Sequence, residues 1–447
     1  MTPQSFRLEH QCSQCGAPVE LDESDRILDC PYCRTRLYIH FPEFGTYYFP
    51  PRIDPDGQCF YVPYWRFKGA RYFITKTGTK SGLVDQTRLA VPSFRAFGYT
   101  LGFRTQTMKM RFVNPGMSGR FLAPELTKWH VVRSLACLPV LSQKAKARRS
   151  MVFSAKTRRR WWRLGAEHRR PIRVKNERNY GGECGVSPIF VGELVSLIYA
   201  PFFLDGYQLF DALSGEVVRN NGGLDALLER LGGHPTVTAS FLPMICPECG
   251  RDMEGESDSL VASCGNCRSL WTAESGGLTR EACFFAKEED VETDLLLPFR
   301  RMSVTSHTLV PDIHPGGVPS PEMPGFDPAV AETGPTILWA PAFKIRPDRY
   351  IRLAQSATHN GHALPVTEEW PEGKRYAVTL PASEAFETAP IVLQSRNAPH
   401  GVWTNERFTL RKTDLVFVPF QRIGREYHQP TWGATIHENL LRWGRGM

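Results

Sequence analysis

Several features that would assign a 447-residue chain to a familiar class are missing here, and each absence narrows the reading. The opening residues, Met-Thr-Pro-Gln-Ser-Phe-Arg, hold no apolar core of a secretory signal, so a cytoplasmic chain is expected. No stretch reads as a membrane helix. The nearest, Val186 to Leu204, carries Glu193 at its middle and Pro188 and Pro201 inside. Its β-branched residues suit buried strands, so no membrane span is expected.

Catalytic phrases are missing too. There is no G-x-S-x-G elbow, no G-x-x-x-x-G-K-[ST] loop and no G-x-G-x-x-G after a strand. His437-Glu438 lacks a second histidine at zincin spacing, and Lys76-Thr77-Gly78 is an isolated fragment of a serine acyl-enzyme motif. The twelve histidines do not cluster with carboxylates; His10, His40 and His168 read as lone surface or core groups. These absences lead us to expect a non-enzymatic protein.

Twelve cysteines are few for a disulfide-stapled secreted chain of this length, which points to a reducing compartment. Four of them, Cys59, Cys137, Cys184 and Cys283, stand singly and read as small buried hydrophobes. The other eight form two frames of one design. Cys12-Ser-Gln-Cys15-Gly16 precedes Cys30-Pro-Tyr-Cys33, and Cys246-Pro-Glu-Cys249-Gly250 precedes Cys264-Gly-Asn-Cys267. Fourteen residues separate the inner cysteines in both, and each spacer holds a Ser-Asp turn and then an apolar pair.

A C-x-x-C turn aims two sulfurs to one side of a tight knuckle, and the following glycine allows a positive φ there. Two knuckles bring four thiolates to one tetrahedral ion, the preferred surroundings of structural zinc. We therefore expect two zinc ions, one on Cys12, Cys15, Cys30 and Cys33 and one on Cys246, Cys249, Cys264 and Cys267. Both sets are coordinatively closed, with no open position for an activated water. The frames resemble the zinc-ribbon family, whose fold is two knuckles on a small three-stranded sheet. That resemblance covers residues 12–38 and 246–271 and is similar in setting to uncharacterised bacterial zinc-ribbon proteins. It implies metal binding and names no activity.

Thirty-five prolines and 37 glycines favour short strands and turns over long helices. A Pro-aromatic phrase recurs: Phe60-Tyr-Val-Pro63 to Tyr72, Leu197 to Tyr207 around Pro201, Ile337 to Tyr350 around Pro341, and Leu415 to Tyr427 around Pro419. A truncated fifth is Leu295-Leu-Leu-Pro298-Phe299. Each reads as a β-hairpin whose proline sits on an edge strand or bulge, with turns near Gly69, Gly206 and Gly424. Helices are expected from Ala123 on a Leu126, Trp129, Val132, Leu135 stripe, and over Leu224–Leu231, Arg349–Ala357 and Ser383–Ser395 with a break at Pro390. Ile436, Leu440 and Trp443 form a last amphipathic face.

The fold class expected is mostly β with some α (α+β): two ribbons, repeated antiparallel β-hairpin domains and an α+β C-terminal domain. Composition divides the chain into ribbon 1 (1–42), a β-rich domain with one helix (43–141), a basic segment (142–182) and a β-hairpin segment with a short helix (183–240). Ribbon 2 (241–280), a short β segment (281–303), a Pro/Gly-rich linker (304–335) and the C-terminal domain (336–447) follow. Ribbon plus hairpin, repeated, suggests duplication of one unit.

Charge is concentrated in one place. Residues 144–178 hold fourteen cations against Glu167 and Glu177, a local excess of +12 in a chain of net +8. The remainder is therefore slightly acidic. Arg148, Arg149, Arg158, Arg159, Arg160, Arg163, Arg169 and Arg170 can pair phosphates, and Trp161 and Trp162 can stack on bases. The alternatives are an acidic protein partner, an anionic membrane surface, or a solvated face with its indoles folded inward. The expected function is a zinc-binding adaptor or scaffold that binds a protein partner, with nucleic acid through 144–178 as the alternative.

Overall fold

In the computed structural model the described residues are 7–54, 58–75, 78–94, 96–102, 109–114, 116–128, 130–131, 189–219, 224–235, 237–274, 277–288, 292–309, 330–332, 335–361, 364–397 and 406–444. The basic tract 144–178, Cys137 and Cys184 lie outside them, as do Trp129, Val132 and Leu135 and residues 310–329 and 333–334 of the expected linker 304–335, whose first six residues are instead the end of the strand Leu295–Leu309. The described chain is mostly β with a few helices, as expected.

Two long antiparallel strand pairs organise it. Phe60–Thr75 runs against Ile189–Asp205, inside an 11-stranded sheet. Leu295–Leu309 runs against Glu406–Ile423, inside a 9-stranded sheet. The two pairs share one register. Pro63 faces Tyr199 and Pro201 faces Tyr61; Pro298 faces Phe417 and Pro419 faces Leu296. Each proline thus opposes the residue two positions before the other proline. Both pairs also carry a bulge at the same place. Pairing skips Glu193 and Arg411, each eight positions before the proline of its strand. An extra residue on one strand sharpens the local twist.

The prolines do not lie on edges, and the reason is specific. A proline offers no N–H, so it fits only where a neighbouring strand is not asking for one. Along Phe60–Thr75, the parallel strand Arg120–Leu122 pairs up to Tyr61 and the antiparallel strand Gly78–Leu89 takes over at Tyr64. Pro63 sits in the handover. Along Ile189–Asp205, Gly45–Tyr48 pairs up to Tyr199 and Gln208–Asp211 begins at Phe202, leaving Pro201 between them. Pro298 sits between Lys374–Arg375 and Thr336–Pro341, and Pro419 between Cys283–Ala286 and Glu426–Gln429.

At three handovers an alanine N–H reaches the proline carbonyl: Ala90 to Pro63 (2.9 Å), Ala212 to Pro201 (3.1 Å) and Ala342 to Pro298 (2.9 Å). The fourth position is Pro430, which has no N–H to give. The truncated phrase at Pro298 is therefore the true counterpart of the one at Pro63. The phrase at Pro341 is a flanking strand, Thr336–Pro341, that leads into the helix Pro347–Asn360. Hairpin turns do fall at Gly206 and Gly424, but Gly69 lies mid-strand opposite Gly192.

Pairing also joins segments that composition separates, since Leu295–Leu309 binds both Thr336–Pro341 and Glu406–Ile423. Helix Pro347–Asn360 buries Tyr350, Ile351, Leu353, Ala354 and Ala357 against that sheet's core. The next helix is broken at Thr388, into Ala382–Glu387 and Ala389–Asn397. Pro390 takes the second helical position of the latter, where its missing N–H costs nothing. Leu224–Glu229 is helical as expected. At the C-terminal end Ile436 belongs to the strand Ala434–His437, and the helix Glu438–Gly444 buries Leu441 while Trp443 stays 59% exposed.

Candidate metal centres

The eight frame cysteines meet in two sets of four, the sulfurs of each set within 4.8 Å of one another. In the first set Cys12 and Cys33 sulfurs are 3.7 Å apart, as are those of Cys15 and Cys30. In the second, Cys246 to Cys267 is 3.9 Å and Cys249 to Cys264 is 3.6 Å. A disulfide would need about 2.05 Å. Four sulfurs at about 2.3 Å from a central ion would sit at tetrahedral edges of about 3.8 Å. The observed separations fit the second geometry, so each set can hold a metal ion.

Local backbone makes the sets. Gly16 N–H bonds the Cys12 carbonyl at 2.8 Å, Arg34 bonds Cys30 at 2.8 Å and Gly250 bonds Cys246 at 2.9 Å, closing tight knuckles. All four knuckles end on a left-handed residue: Gly16 (φ 72°), Arg34 (φ 61°), Gly250 (φ 69°) and Arg268 (φ 52°). Glycine takes that conformation without strain, whereas the two arginines carry a steric cost. The Thr35 hydroxyl, 3.3 Å from the sulfur, and the Thr35 backbone hold the Cys33 thiol down at about 6. The Arg251 backbone holds Cys249 down at about 7. Both shifts favour the thiolate, the form that takes up a metal.

The two ribbons differ in how they are completed. Ribbon 2 has its own sheet, Ala262–Cys264, Ser269–Glu274 and Gly277–Glu281, continuous in sequence. Ribbon 1 has only Ile27–Asp29 and Arg36–His40 and takes its third strand, Ser240–Pro243, from the lead-in to ribbon 2. Its first knuckle is grafted through Arg7–Gln11 onto the large sheet, parallel to Met110–Phe112.

The ribbons also dock on each other. The Ser257 carbonyl accepts from the Arg26 and Ile27 N–H groups at 2.6 and 2.8 Å, and the Tyr38 hydroxyl donates to the Leu260 carbonyl at 2.6 Å. Ile27, Tyr38, Met244, Met253 and Trp271 share one small core with Cys246 and Cys264. Spacing alone located the sulfurs; it gave no sign of the borrowed strand.

Other candidate residues behave as bland groups. His10 stacks on Phe241 at 4.2 Å, and burial lowers the tendency of both His10 and His40 to protonate. Cys59 is buried and its thiol is pushed up to about 12; burial raises Cys283 to about 11. No helix among the described residues is long and apolar enough to cross a membrane. Sequence reasoning missed one charged cluster. Arg66, 1% exposed, is held by Glu23 of ribbon 1 and by both carboxylate oxygens of Asp85 at 3.0 and 3.1 Å, and Glu23 also accepts from the Ser196 hydroxyl at 3.0 Å. The only trace in the sequence is a lone Glu-Ser-Asp in each spacer, at 23–25 and 256–258.

No protein-family model, curated protein or solved structure matches this chain.

Proposed function

We propose that each four-cysteine set holds one structural zinc ion and that the chain is a non-enzymatic adaptor or scaffold that binds other macromolecules in a reducing, cytoplasmic setting. The observation that supports this is closure. Four sulfurs already satisfy a tetrahedral ion, so no position remains for substrate or water, and the metal's work is to hold a fold together. Zinc is favoured over other ions by an all-thiolate set at tetrahedral separations. Ribbon 1 pairs with the 11-stranded sheet through Arg7–Gln11 and ribbon 2 packs on the 9-stranded sheet through Val261 and Leu270, which supports a stiffening role for the metals. Two tests address the reading. Elemental analysis of fresh protein should give two zinc per chain, and fewer than about 1.5 would sink it. Recovery of a tagged chain from its native cells, with and without nuclease, should yield a partner that nuclease does not remove.

The second reading is nucleic-acid binding through 144–178, favoured by the local excess of +12 with Trp161 and Trp162 inside it. Neutralising about five phosphates of a single strand would give a log K against log salt slope near about −3.5. Changing Arg158, Arg159 and Arg160 together to Gln should flatten that slope and weaken binding to all sequences alike. Absence of binding to any DNA or RNA at low salt would discard this reading and leave the tract as a docking surface for an acidic protein.

A further inference from the structure

The two sulfur sets share one geometry and differ in what covers them. In ribbon 2 all four cysteines lean on apolar packing. Cys246 and Cys264 are buried in the small core around Met253 and Trp271, and the half-buried Cys249 and Cys267 pack against it. In ribbon 1 the first cysteine of each knuckle, Cys12 and Cys30, is buried in a core cluster. The second, Cys15 and Cys33, is exposed and belongs to no apolar cluster among the described residues.

Exposure and a neighbouring thiol decide which cysteines an oxidant converts. Cys15 and Cys33 have both. The sulfur of each lies 3.7 Å from a buried one of the other knuckle, Cys33 from Cys12 and Cys15 from Cys30. We propose that the first set is an oxidation site, where a peroxide links Cys33 to Cys12 or Cys15 to Cys30 and the metal is released, while the second set keeps its own. The proposal rests on the zinc reading above. The exposed thiolate attacks one peroxide oxygen and the O–O bond breaks, leaving a sulfenic acid and, after protonation, one water. The buried thiolate then attacks that sulfur; the S–S bond forms and hydroxide leaves, protonated to a second water. Two thiolates are oxidised, one peroxide is reduced and two protons are taken up. A set left with two thiolates no longer closes around a tetrahedral ion. A thiol reductant reverses the step, because an exposed disulfide is open to exchange. The site is placed to be felt elsewhere, since the same ribbon delivers Glu23 to Arg66 and pairs with Ser240–Pro243.

Hydrogen peroxide is the probe, added to the full chain as purified with its metal, once elemental analysis has counted the ions. Fewer than about 1.5 ions per chain at that stage would remove the zinc reading and this proposal together, and every later result concerns the oxidation alone. The test needs no substitution, so no folding failure can obscure it. A metallochromic chelator follows release, and alkylation with iodoacetamide before unreduced peptide mapping by mass spectrometry locates the disulfides. One ion per chain should leave at least about tenfold faster than the other. Cys33 should then be joined to Cys12 or Cys15 to Cys30, with no linkage among Cys246, Cys249, Cys264 and Cys267. Dithiothreitol and added zinc should restore the lost ion. Loss of both ions at one rate, earlier linkage in ribbon 2, or no release at a peroxide concentration that oxidises free cysteine would overturn the assignment.

Discussion

The N-terminal and C-terminal halves build the same strand pair and finish it differently. Arg66 and Arg301 stand at equivalent positions, three residues after Pro63 and Pro298. Arg301 finds its carboxylate directly across the pair, in Asp414 at 2.8 Å. The residue across from Arg66 is Ser196, and the carboxylates that hold Arg66 arrive from outside the pair, from Glu23 of ribbon 1 and from Asp85 of the flanking strand Gly78–Leu89. Arg301 is thus served within its own pair and Arg66 from outside it, although the C-terminal pair also meets a ribbon where Arg300 binds Glu281 of ribbon 2. Ribbon 1 is itself completed by the lead-in to ribbon 2, through Ser240–Pro243. Dependence through the borrowed strand therefore runs one way, from ribbon 1 toward residues 240–243, although the two ribbons share one small core.

The sharpest way to break this asymmetry is to remove one metal site at a time. Cys30→Ser and Cys264→Ser should each lose one zinc per chain, with destabilisation of several kcal/mol, because metal binding and local folding are one event in a domain this small. The reach of the damage should differ. Loss of the second site should also loosen Ile27–Asp29 and Arg36–His40, which lean on residues 240–260, while loss of the first should leave Ala262–Cys264 and Ser269–Glu274 protected. Hydrogen exchange reads this directly; equal protection losses in both directions would remove the one-way dependence.

Next in size is the carboxylate exchange. Glu23→Ala takes one of two carboxylates from a guanidinium that is 1% exposed, leaving Asp85, and should cost about 2–3 kcal/mol, the loss of a charged hydrogen bond. Asp414→Ala acts on Arg301, whose side chain is 26% exposed, and should cost nearer about 1–2 kcal/mol, since water reaches the orphaned charge. Urea unfolding at pH 7 compares them, and a larger cost at Asp414 would reverse the reading.

What could be read before the structure divides along the range of the interactions. Cysteine spacing is local, so both sulfur sets were legible to the residue. The β character followed from proline, glycine and aromatic content. The prolines were recognised as needing a place without a ladder donor, but that place is a handover between strands drawn from elsewhere, such as 120–122 beside 60–61. No local signal encodes it. Pro298 was undervalued because Arg300 and Arg301 cut its apolar run short, and Pro341 was overvalued because a flanking strand ends on the same residues.

The helix bearing Glu387 belongs to the C-terminal half, and it sets a pH test of smaller size. Burial raises this carboxyl from 4.5 to about 7, with Lys128 opposing the shift only in part. The folded state therefore holds its proton more tightly than the unfolded chain does. Its contribution is fully present below pH 4.5 and is lost as pH rises through about 7, by up to roughly 3 kcal/mol. Glu387→Gln should flatten stability between those limits; an unchanged slope would place the titration elsewhere.

The smallest effect isolates the backbone of the knuckles. A Cβ added at Gly250 or Gly16 meets nothing within 4 Å, so replacement by alanine tests φ alone, free of packing. Gly250→Ala at φ 69° should cost about 1 kcal/mol, and the mirror change, Arg268→Gly at φ 52°, should recover somewhat less, because glycine also loosens the unfolded chain. The opposite signs are the point. If strain is the whole account, both variants keep two metal ions and their melting shifts differ only in direction. If Arg268→Gly instead lowers stability, the arginine side chain contributes more than its backbone costs, and its proximity to a cluster of four thiolates, where a cation offsets excess negative charge, becomes the reason an arginine stands where glycine would fit without strain.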